Sequence, residues 1–458
     1  MTLAKAPSHR PKRRKRSMSV RQNWQIALRL WLIAAGIGLL VGIAVIIFRL
    51  TIMAGEMFFF TAPDEKVAST AAGLPALHVV MAPVVGGAIV GILLAIGSMI
   101  GWGDKPRAFS VADVMKARRF PGRIRETALN LRDGLLTAAI SAISLGAGAS
   151  TGREGPAVHI GAVLAHQPAK WLNLDVRATR MLLGCGAAAA VSASFHAPLA
   201  GVLFAREVIL QRYRIADIGP IAVSSVVAAI TARSHFGSEA LFAVPEITDP
   251  PVMYFLATPL LGLLSAGLAM MAIWTWSRAP EAGEQFAAQF KLPVWMLPPL
   301  GGLVLGCFAL AFPQILGVGY EPTAAALAGV YGPAFMILLV FAKLAATSLC
   351  IGAHFGGGVF SPSLYIGAML GGAFGILIGM PLNEPEAALH FFTIVGMGAV
   401  SGAVLGAPIS TTLIVFELTS SYETAAAVLV SVSLATVLVQ SQGGALFERQ
   451  VKFRMRDS

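Results

Sequence analysis

The sequence predicts an all-α integral membrane protein built from two structurally related halves of tilted, broken and re-entrant helices. The first observation is that 56% of its 458 residues are hydrophobic and 12% are charged, whereas soluble domains carry about 25% charged residues. The second is its 48 glycines and 26 prolines, which favour broken helices around a polar path over a simple up-and-down bundle. The third is an order of short motifs that occurs twice along the chain.

Nine apolar runs are candidates for the membrane-spanning helices. They cover residues 26–50, 76–100, 178–195, 218–232, 253–275, 295–312, 335–351, 364–381 and 412–439. A helix needs about 20 apolar residues to cross a bilayer, and several of these runs are shorter or contain glycine or proline. We therefore expect some of the helices to be tilted and others to enter the membrane without crossing it.

Positive charge is concentrated in three stretches of a chain whose formal net charge is +11. A run from Arg10 to Arg16 precedes the first apolar run, a second stretch covers Lys105 to Arg132, and a third begins at Arg449. The positive-inside rule places all three in the cytoplasm, so we expect a multi-pass protein of the cell (inner) membrane with both termini cytoplasmic. A nucleic-acid partner for the first run is the alternative. We do not expect it, because the run adjoins a membrane helix and has no domain of its own.

These observations predict a simple domain organisation. A basic cytoplasmic tail covers residues 1–22, a transmembrane domain covers 23–448 with halves of 23–235 and 250–448, and a short basic tail covers 449–458. No Ser/Pro-rich linker separates the halves, so we expect a single membrane domain. The first apolar run is longer than the hydrophobic region of a signal peptide, so we expect it to remain as a helix.

Gly152-Arg153-Glu154-Gly155-Pro156 is the most informative motif. A charged group at membrane depth costs about 2.5–3.5 kcal/mol, so it is seldom there without a use. The glycines leave the backbone open and the proline suits the first turn of a helix, so amide N–H groups should point outward here. Such a helix start attracts anions, and a tethered carboxylate can occupy the anion site and leave it when protonated. On the pentapeptide alone, a helix cap or an ion pair between Glu154 and Arg153 explains the motif equally well.

The same order of signals occurs in both halves. Each half has a Gly-x-x-x-Pro motif, then an Ala-Pro pair, and then a glutamate ten residues after that alanine. The members are Gly152, Pro156, Ala197 and Glu207 in the first half and Gly358, Pro362, Ala407 and Glu417 in the second. Repeated halves are a common plan of membrane transporters, in which the substrate binds between them. We expect inverted repeats, with helix-end structural roles for both glutamates.

These motifs resemble those of the CLC family of chloride channels and chloride/proton antiporters. The pentapeptide at 152–156 is similar to the family's GKEGP/GREGP motif, and Gly358-Val359-Phe360-Ser361-Pro362 is similar to its GxFxP motif. The stretches 195–204 and 407–417 resemble its Ala-Pro-containing helices, and the motifs cover residues 130–440 in the family's order. We identify the chain as a prokaryotic-type member. It carries no paired CBS module after the membrane domain, so we expect no control by adenine nucleotides.

The resemblance implies a homodimer in the lipid bilayer, in which each subunit has its own pathway for chloride and, in antiporters, for protons. Glu154 matches the family's gating glutamate, which competes with chloride for the outer sites. The backbone N–H groups of Val359 and Phe360 match those that contact the central ion, and those of Arg153 to Gly155 lie by the outer ion. We expect the Arg153 side chain to be ion-paired to another part of the fold. Chloride, rather than nitrate or fluoride, is the expected substrate.

Two departures from the family pattern bear on the anion site. The family's GSGIP motif is replaced by residues 108–113, in which strict register puts Phe109 at the place of the motif's serine and a shift of one residue puts Ser110 there. Ser110 is therefore the candidate hydroxyl donor to chloride. Near the C-terminus, Phe447 aligns with the family's pore tyrosine. The loss of one donor to an anion costs about 1.5–3 kcal/mol, so the central site should bind chloride less tightly.

The position that relays protons on the cytoplasmic side of family antiporters aligns with Val208. Valine cannot titrate, and channel-type relatives often carry it there, so the resemblance favours channel-like conduction gated by voltage or pH. A chloride/proton antiporter is the alternative, because the adjacent Glu207 or a file of water molecules could deliver protons.

Two other classes of protein compete with this interpretation. An intramembrane enzyme would need a Ser/His or paired-Asp constellation, and the neighbours Ser194 and His196 point to different faces of a helix. A cation transporter would need several buried carboxylates, whereas acidic residues in the apolar runs are few. The three cysteines lie far apart and form no pair with metal-ligand spacing. We expect a channel or transporter rather than an enzyme, with no metal and no cofactor.

Overall fold

The computed structural model describes residues 20–63, 65–102, 106–119, 129–212, 214–237, 242, 250–419 and 421–454. Within these ranges the chain forms eighteen α-helices and no β-strand, which confirms the all-α fold class. The basic run at 10–16, Lys105, and the last residues of the chain from 455 onward lie outside the described residues.

The first half contains nine helices in the described ranges. They are α1 (Val20–Phe60), α2 (Val67–Gly73), α3 (Ala76–Gly97), α4 (Val111–Arg119), α5 (Leu131–Gly146), α6 (Glu154–Trp171), α7 (Val176–Phe195), α8 (Pro198–Phe204) and α9 (Ile215–Phe236). Side-chain caps explain where two of them begin. Asn130 accepts a hydrogen bond from the backbone N–H of the third residue of α5, and Asp175 does the same for α7, because the first N–H groups of a helix have no partner within it.

The second half contains nine further helices in the described ranges. They are α10 (Val252–Gln289), α11 (Leu297–Ala311), α12 (Tyr320–Leu327), α13 (Pro333–Gly352), α14 (Phe360–Gly379), α15 (Pro385–Leu405), α16 (Pro408–Thr419), α17 (Tyr422–Ser441) and α18 (Leu446–Arg454). The long helices α14 and α15 pack along one another. At Gly367 and Gly396 each backbone approaches the other so closely that a Cβ would overlap a carbonyl, as is usual where membrane helices meet at small residues.

Ten helices in the described part of the chain are long and apolar enough to cross a membrane, which supports the multi-pass prediction. Two differences from the predicted runs appear. The run 412–439 is divided between α16 and α17, because Ser421 caps α17 by accepting a hydrogen bond from the Thr424 N–H. Helix α15 corresponds to none of the nine predicted runs. It is the most buried of the ten, since 94% of its apolar window lies inside the protein.

The two Gly-x-x-x-Pro motifs meet at an antiparallel bridge. The Gly152 N–H donates to the Gly358 carbonyl over 2.7 Å, and the Gly358 N–H donates back to the Gly152 carbonyl over 2.6 Å. Reciprocal contacts of this kind are the mark of a local two-fold axis. The motifs therefore run in opposite directions, as inverted repeats require.

The two repeat glutamates confirm this relation and their predicted role at helix ends. Glu207 accepts hydrogen bonds from the start of α16, and Glu417 accepts hydrogen bonds from the start of α8. The distances to the donor N–H groups are 3.2 Å (Ile409) and 2.9 Å (Ser410) for Glu207, and 2.9 Å (Leu199) and 2.8 Å (Ala200) for Glu417. Each half thus caps the equivalent helix of the other half with a carboxylate.

Candidate functional site

A small cavity lies where the two halves meet. Its walls are mostly apolar, and Glu154 is the charged residue among those that line it. The lining residues are Val111, Glu154, Gly155, Val158, Val191, Phe195, Phe204, Val359, Phe360, Leu405 and Phe447. The fold therefore brings together five of the residues that the sequence analysis proposed for the gate and the anion site, namely Glu154, Gly155, Val359, Phe360 and Phe447.

In the described part of the chain, four helices begin at this cavity. Helix α4 begins at Val111, α6 at Glu154, α14 at Phe360, and α18 one residue before Phe447. The N-terminus of a helix carries the equivalent of about half a positive charge, because its first N–H groups have no acceptor within the helix. The cavity can therefore attract an anion without a full cationic charge at its wall, and binding of that kind is reversible enough for conduction.

Two glycines allow the helix starts to approach one another. A Cβ at Gly155 would lie 3.0 Å from the Gly358 Cα, and a Cβ at Gly358 would lie 2.9 Å from the Gly155 nitrogen. Side chains at either position would push the starts of α6 and α14 apart. The glycines of both motifs are thus required by packing as well as by the exposure of the backbone N–H groups.

The Glu154 carboxylate is held by two hydroxyl groups. The Tyr320 hydroxyl donates to Oε1 over 2.5 Å, and the Ser361 hydroxyl donates to Oε2 over 2.6 Å. All three side chains are buried, with 3% of Glu154, 8% of Tyr320 and 2% of Ser361 exposed. The Arg153 guanidinium is a weaker neighbour, because its Nε lies 4.0 Å from Oε1. The carboxylate therefore has a defined position, held by groups from the second half.

Arg153 is turned towards another part of the fold, as the sequence analysis expected. Its Nη1 lies 2.5 Å from an oxygen of Glu65, and the Arg49 Nε lies 2.8 Å from the same oxygen. Glu65 follows α1, outside the membrane-spanning helices. Burial by itself would raise the pKa of the Glu65 carboxyl, but the charges and hydrogen bonds of Arg153 and Arg49 lower that pKa below its ordinary value. The two arginines are thus neutralised in part at this site, and Arg153 is held beside Glu154.

A buried lysine fixes the loop that precedes Tyr320. The Lys343 ammonium group donates to the carbonyls of Ile315 and Gly317 over 2.9 and 2.8 Å. The loop then turns at Gly319, whose φ of +95° suits glycine, and α12 begins at Tyr320. The face of the Tyr320 ring lies 4.8 Å from the Arg153 guanidinium carbon, within the range of a cation–π interaction. These contacts place the Tyr320 hydroxyl at Glu154.

The stretch 108–113 does not place Ser110 in the cavity wall. The Ser110 N–H donates to an Asp113 oxygen over 2.7 Å, and the Ser110 hydroxyl lies 3.4 Å from the same oxygen, as in the capping box of a helix start. Phe109 stacks on His159 with ring centroids 5.6 Å apart. Val111 lines the cavity instead. The geometry therefore does not support Ser110 or Phe109 as a ligand of an anion there, because the start of α4 presents its next residue.

The predicted proton-relay positions also lie away from the cavity lining. Val208 is 3% exposed, in a π-helical turn that covers Ala205–Leu210. The adjacent Glu207 carboxylate is used to cap α16, and the Ser410 hydroxyl also donates to it over 2.5 Å. Phe447 does line the cavity, and its ring offers no hydrogen-bond donor.

Sequence reasoning missed Tyr320, Ser361, Glu65 and Lys343. Two signals could have revealed them. Ser361 is a polar residue at a variable position of the second Gly-x-x-x-Pro motif. Lys343 is a charged residue in an apolar run, which is costly unless it has a partner. Nothing in the local sequence marks Tyr320 or Glu65, because their partners are 166 and 88 residues away along the chain.

Comparisons with known proteins agree with this arrangement. The family model described as voltage gated chloride channel matches residues 106–440. A protein of Ralstonia nicotianae described as ClcB-like is 30% identical over 434 residues, covering 93% of this chain and 97% of its own length. The voltage-gated ClC-type chloride channel ClcB of Escherichia coli O81 is 29% identical over 411 residues, covering 89% of this chain and 94% of its own length.

Solved structures share the fold. A slow cyanobacterial Cl⁻/H⁺ antiporter superposes with a TM-score of 0.79 at 21% identity, covering 93% of this chain and 98% of that one. A CLC-type fluoride/proton antiporter superposes with a TM-score of 0.71 at 20% identity, covering 95% of this chain and 99% of that one. The family match extends over well over half of the 458 residues, and the inverted halves and the glutamate at the helix starts accord with it. The chain therefore belongs to the CLC family of voltage-gated chloride channels and transporters.

Proposed function

We propose that this protein carries chloride across the cell membrane through the cavity between its halves, and that Glu154 gates the pathway. The observation that carries the proposal is the position of Glu154 in the lining of a cavity where four helices begin. A carboxylate and a chloride ion compete for the same partial positive charge. Protonation removes the negative charge of Glu154, so the side chain gives up its place and chloride enters.

The proposal includes an orientation and an assembly. Three basic stretches of the sequence favour a cytoplasmic N-terminus, so the far end of α1 and Glu65 would face the outside, together with Glu154. Phe447 and the basic helix α18 would face the cytoplasm. Two copies would form a homodimer in the bilayer, each with its own pathway, as the family resemblance implies.

Exchange of chloride for protons is the transport mode that we place first. The structures with which this fold superposes include a Cl⁻/H⁺ and a fluoride/proton antiporter, and Glu154 is a carboxyl group that can itself carry a proton. Passive conduction, which the sequence analysis favoured, is the second candidate. It is supported by Val208 and by the printed names of the ClcB relatives. In an exchanger, protons from the cytoplasm would reach Glu154 through water in the cavity, since Glu207 caps α16.

The test uses purified protein in liposomes with a chloride gradient, a pH-sensitive dye and the voltage clamped with valinomycin. We expect Glu154→Gln to pass chloride without the pH dependence of the native protein, and to move no protons. Glu386→Gln, at an exposed position, is the matched control. Gating by Glu154 is wrong if Glu154→Gln keeps the native pH profile. Uphill proton movement driven by chloride establishes exchange, and chloride flux without it establishes conduction.

A further inference from the structure

Two hydroxyl groups contact Glu154, and neither belongs to a residue to which the family resemblance assigns a role. Tyr320 is the first residue of α12, and Ser361 is the second residue of α14. The two oxygens lie 3.2 Å apart. Each hydroxyl has one hydrogen, and each donates that hydrogen to a different carboxylate oxygen. The Glu154 carboxylate between the two hydroxyls therefore orients them, and their contact with one another does not.

The departure of Glu154 would leave two buried donors aimed at the same volume. One hydroxyl can then donate to the other over 3.2 Å, which still leaves one hydrogen without an acceptor. A buried donor without an acceptor costs about 1–3 kcal/mol, so this volume favours a group that can accept a hydrogen bond from each hydroxyl. A chloride ion accepts hydrogen bonds from any direction and carries the same charge as the carboxylate. Water is the weaker competitor, because bonds from a hydroxyl to an anion are about twice as strong as bonds between neutral groups.

We propose that Tyr320 and Ser361 are shared ligands, an inference that rests on the proposed gate. They hold the Glu154 carboxylate in the closed state and bind the permeating anion in the open state. The ligand class is a small monovalent anion, with chloride as the probe. The pair thus adds two side-chain donors to the backbone N–H groups at the starts of α6 and α14.

The Tyr320 and Ser361 hydroxyls matter more for anion binding because of what lies at the two other positions where the family supplies a hydroxyl. Phe447 has no donor where the family has a tyrosine, and the Ser110 hydroxyl lies against Asp113. Among the described residues, the hydroxyls that this proposal assigns to the anion therefore lie at the gate rather than beside Phe447. The charged groups nearest the pair are Glu154 itself and Arg153, whose guanidinium is bound to Glu65. Glu56, Glu65 and Glu321 line a second cavity together with Tyr320, and the Glu321 carboxylate accepts hydrogen bonds from the Ala68 and Ser69 N–H groups.

The first experiment measures chloride binding with the gating side chain removed. Tyr320→Phe and Ser361→Ala are each introduced into Glu154→Ala, and chloride affinity is measured by calorimetry together with the half-saturating chloride concentration for flux. We expect each substitution to weaken chloride binding about ten-fold or more, as the loss of one donor to an anion does. Tyr331→Phe in the same background is the matched control, because its ring packs against Phe335 instead.

The second experiment keeps Glu154 and measures chloride flux against external pH. Removal of either hydroxyl weakens the ionised, closed state of the gate, so the midpoint of the flux profile should move to higher pH. Each substitution should thus weaken chloride binding in the Glu154→Ala background and favour opening of the gate in the protein that keeps Glu154. A merely structural role would not produce this pair of effects.

The outcomes separate this inference from the proposed function. If Glu154→Gln abolishes the pH dependence but Tyr320→Phe and Ser361→Ala leave chloride affinity unchanged, the hydroxyls are not ligands and the inference is wrong. If affinity falls but the pH midpoint stays, the pair binds the anion without holding the gate, and the shared-ligand proposal is overturned. If Glu154→Gln itself keeps the native profile, the proposed gate fails first.

Discussion

Replacement of Glu65 by glutamine should destabilise the protein strongly, although Glu65 lies outside the membrane-spanning helices. Its carboxylate oxygen is shared by Arg49 and Arg153 at 2.8 and 2.5 Å. The exposed fractions of the side chains are 12% for Glu65, 22% for Arg49 and 4% for Arg153. Glu65→Gln keeps the shape but gives both guanidinium groups a neutral partner, so that Arg153 retains only the more distant Glu154 carboxylate at 4.0 Å.

The magnitude follows from the burial of Arg153. Removal of one partner of a buried ion pair costs about 3–5 kcal/mol, because the remaining charge stays desolvated. The glutamine carbonyl still accepts one hydrogen bond, and Arg49 is partly exposed, so we expect a loss of about 3 kcal/mol in the free energy of unfolding. The control Glu386→Gln at an exposed site should change it by less than about 0.5 kcal/mol.

The assay is denaturant-induced unfolding in detergent, followed by tryptophan fluorescence as a function of pH. The pKa of Glu65 is below its ordinary value of 4.5 in the folded protein, so its stabilising contribution is fully present above that value. The contribution is lost as the pH falls from 4.5 through the lower, folded-state pKa. Glu65→Gln should therefore remove this part of the fall in unfolding free energy at acid pH (the acid limb). A loss below about 1 kcal/mol at pH 7, or an unchanged acid limb, would refute the buried-pair argument.

Two further predictions concern the relation between the halves. Glu207→Gln and Glu417→Gln should each destabilise the protein by about 1.5–3 kcal/mol, because each removes charged hydrogen bonds to a helix start. Glu207→Gln should leave the ratio of transported protons to chloride unchanged. An altered ratio in the liposome assay would contradict a purely structural role of Glu207. Gly155→Ala should lower thermal stability and chloride flux, since its Cβ would lie 3.0 Å from the backbone of the facing motif. Gly36→Ala, which has open space, is the control, and equal behaviour of the two variants would count against close packing of the motifs.

The sequence by itself determined the membrane class and the two halves, and it marked Glu154 as the candidate gate. These properties depend on composition and on short motifs, which are local. A charged residue between two glycines in apolar sequence stands out without any knowledge of the fold, because its transfer into a membrane is costly. The order Gly-x-x-x-Pro, Ala-Pro, Glu in both halves predicted related helices for the same reason. Four of the five predicted residues that line the cavity, Glu154, Gly155, Val359 and Phe360, come from these two motifs.

Local sequence does not determine how a helix start is oriented. Alignment by motif put Phe109 at the place of the family's serine, and a shift of one residue put Ser110 there. The cap formed with Asp113 instead turns the start of α4 so that Val111 lines the cavity. A shift of one residue at a helix start rotates each side chain by about 100°, which no short motif resolves.

Only the tertiary structure decided which groups meet Glu154. Tyr320 lies 166 residues from it along the chain and Ser361 lies 207 residues from it, on two helices whose starts converge from the second half. Contacts of this range are set by the packing of one half against the other across the local two-fold axis. Hydrogen bonds act over about 3 Å, so the hydroxyl pair and the Glu65 ion pairs become visible only when the glycine motifs have brought the two halves together.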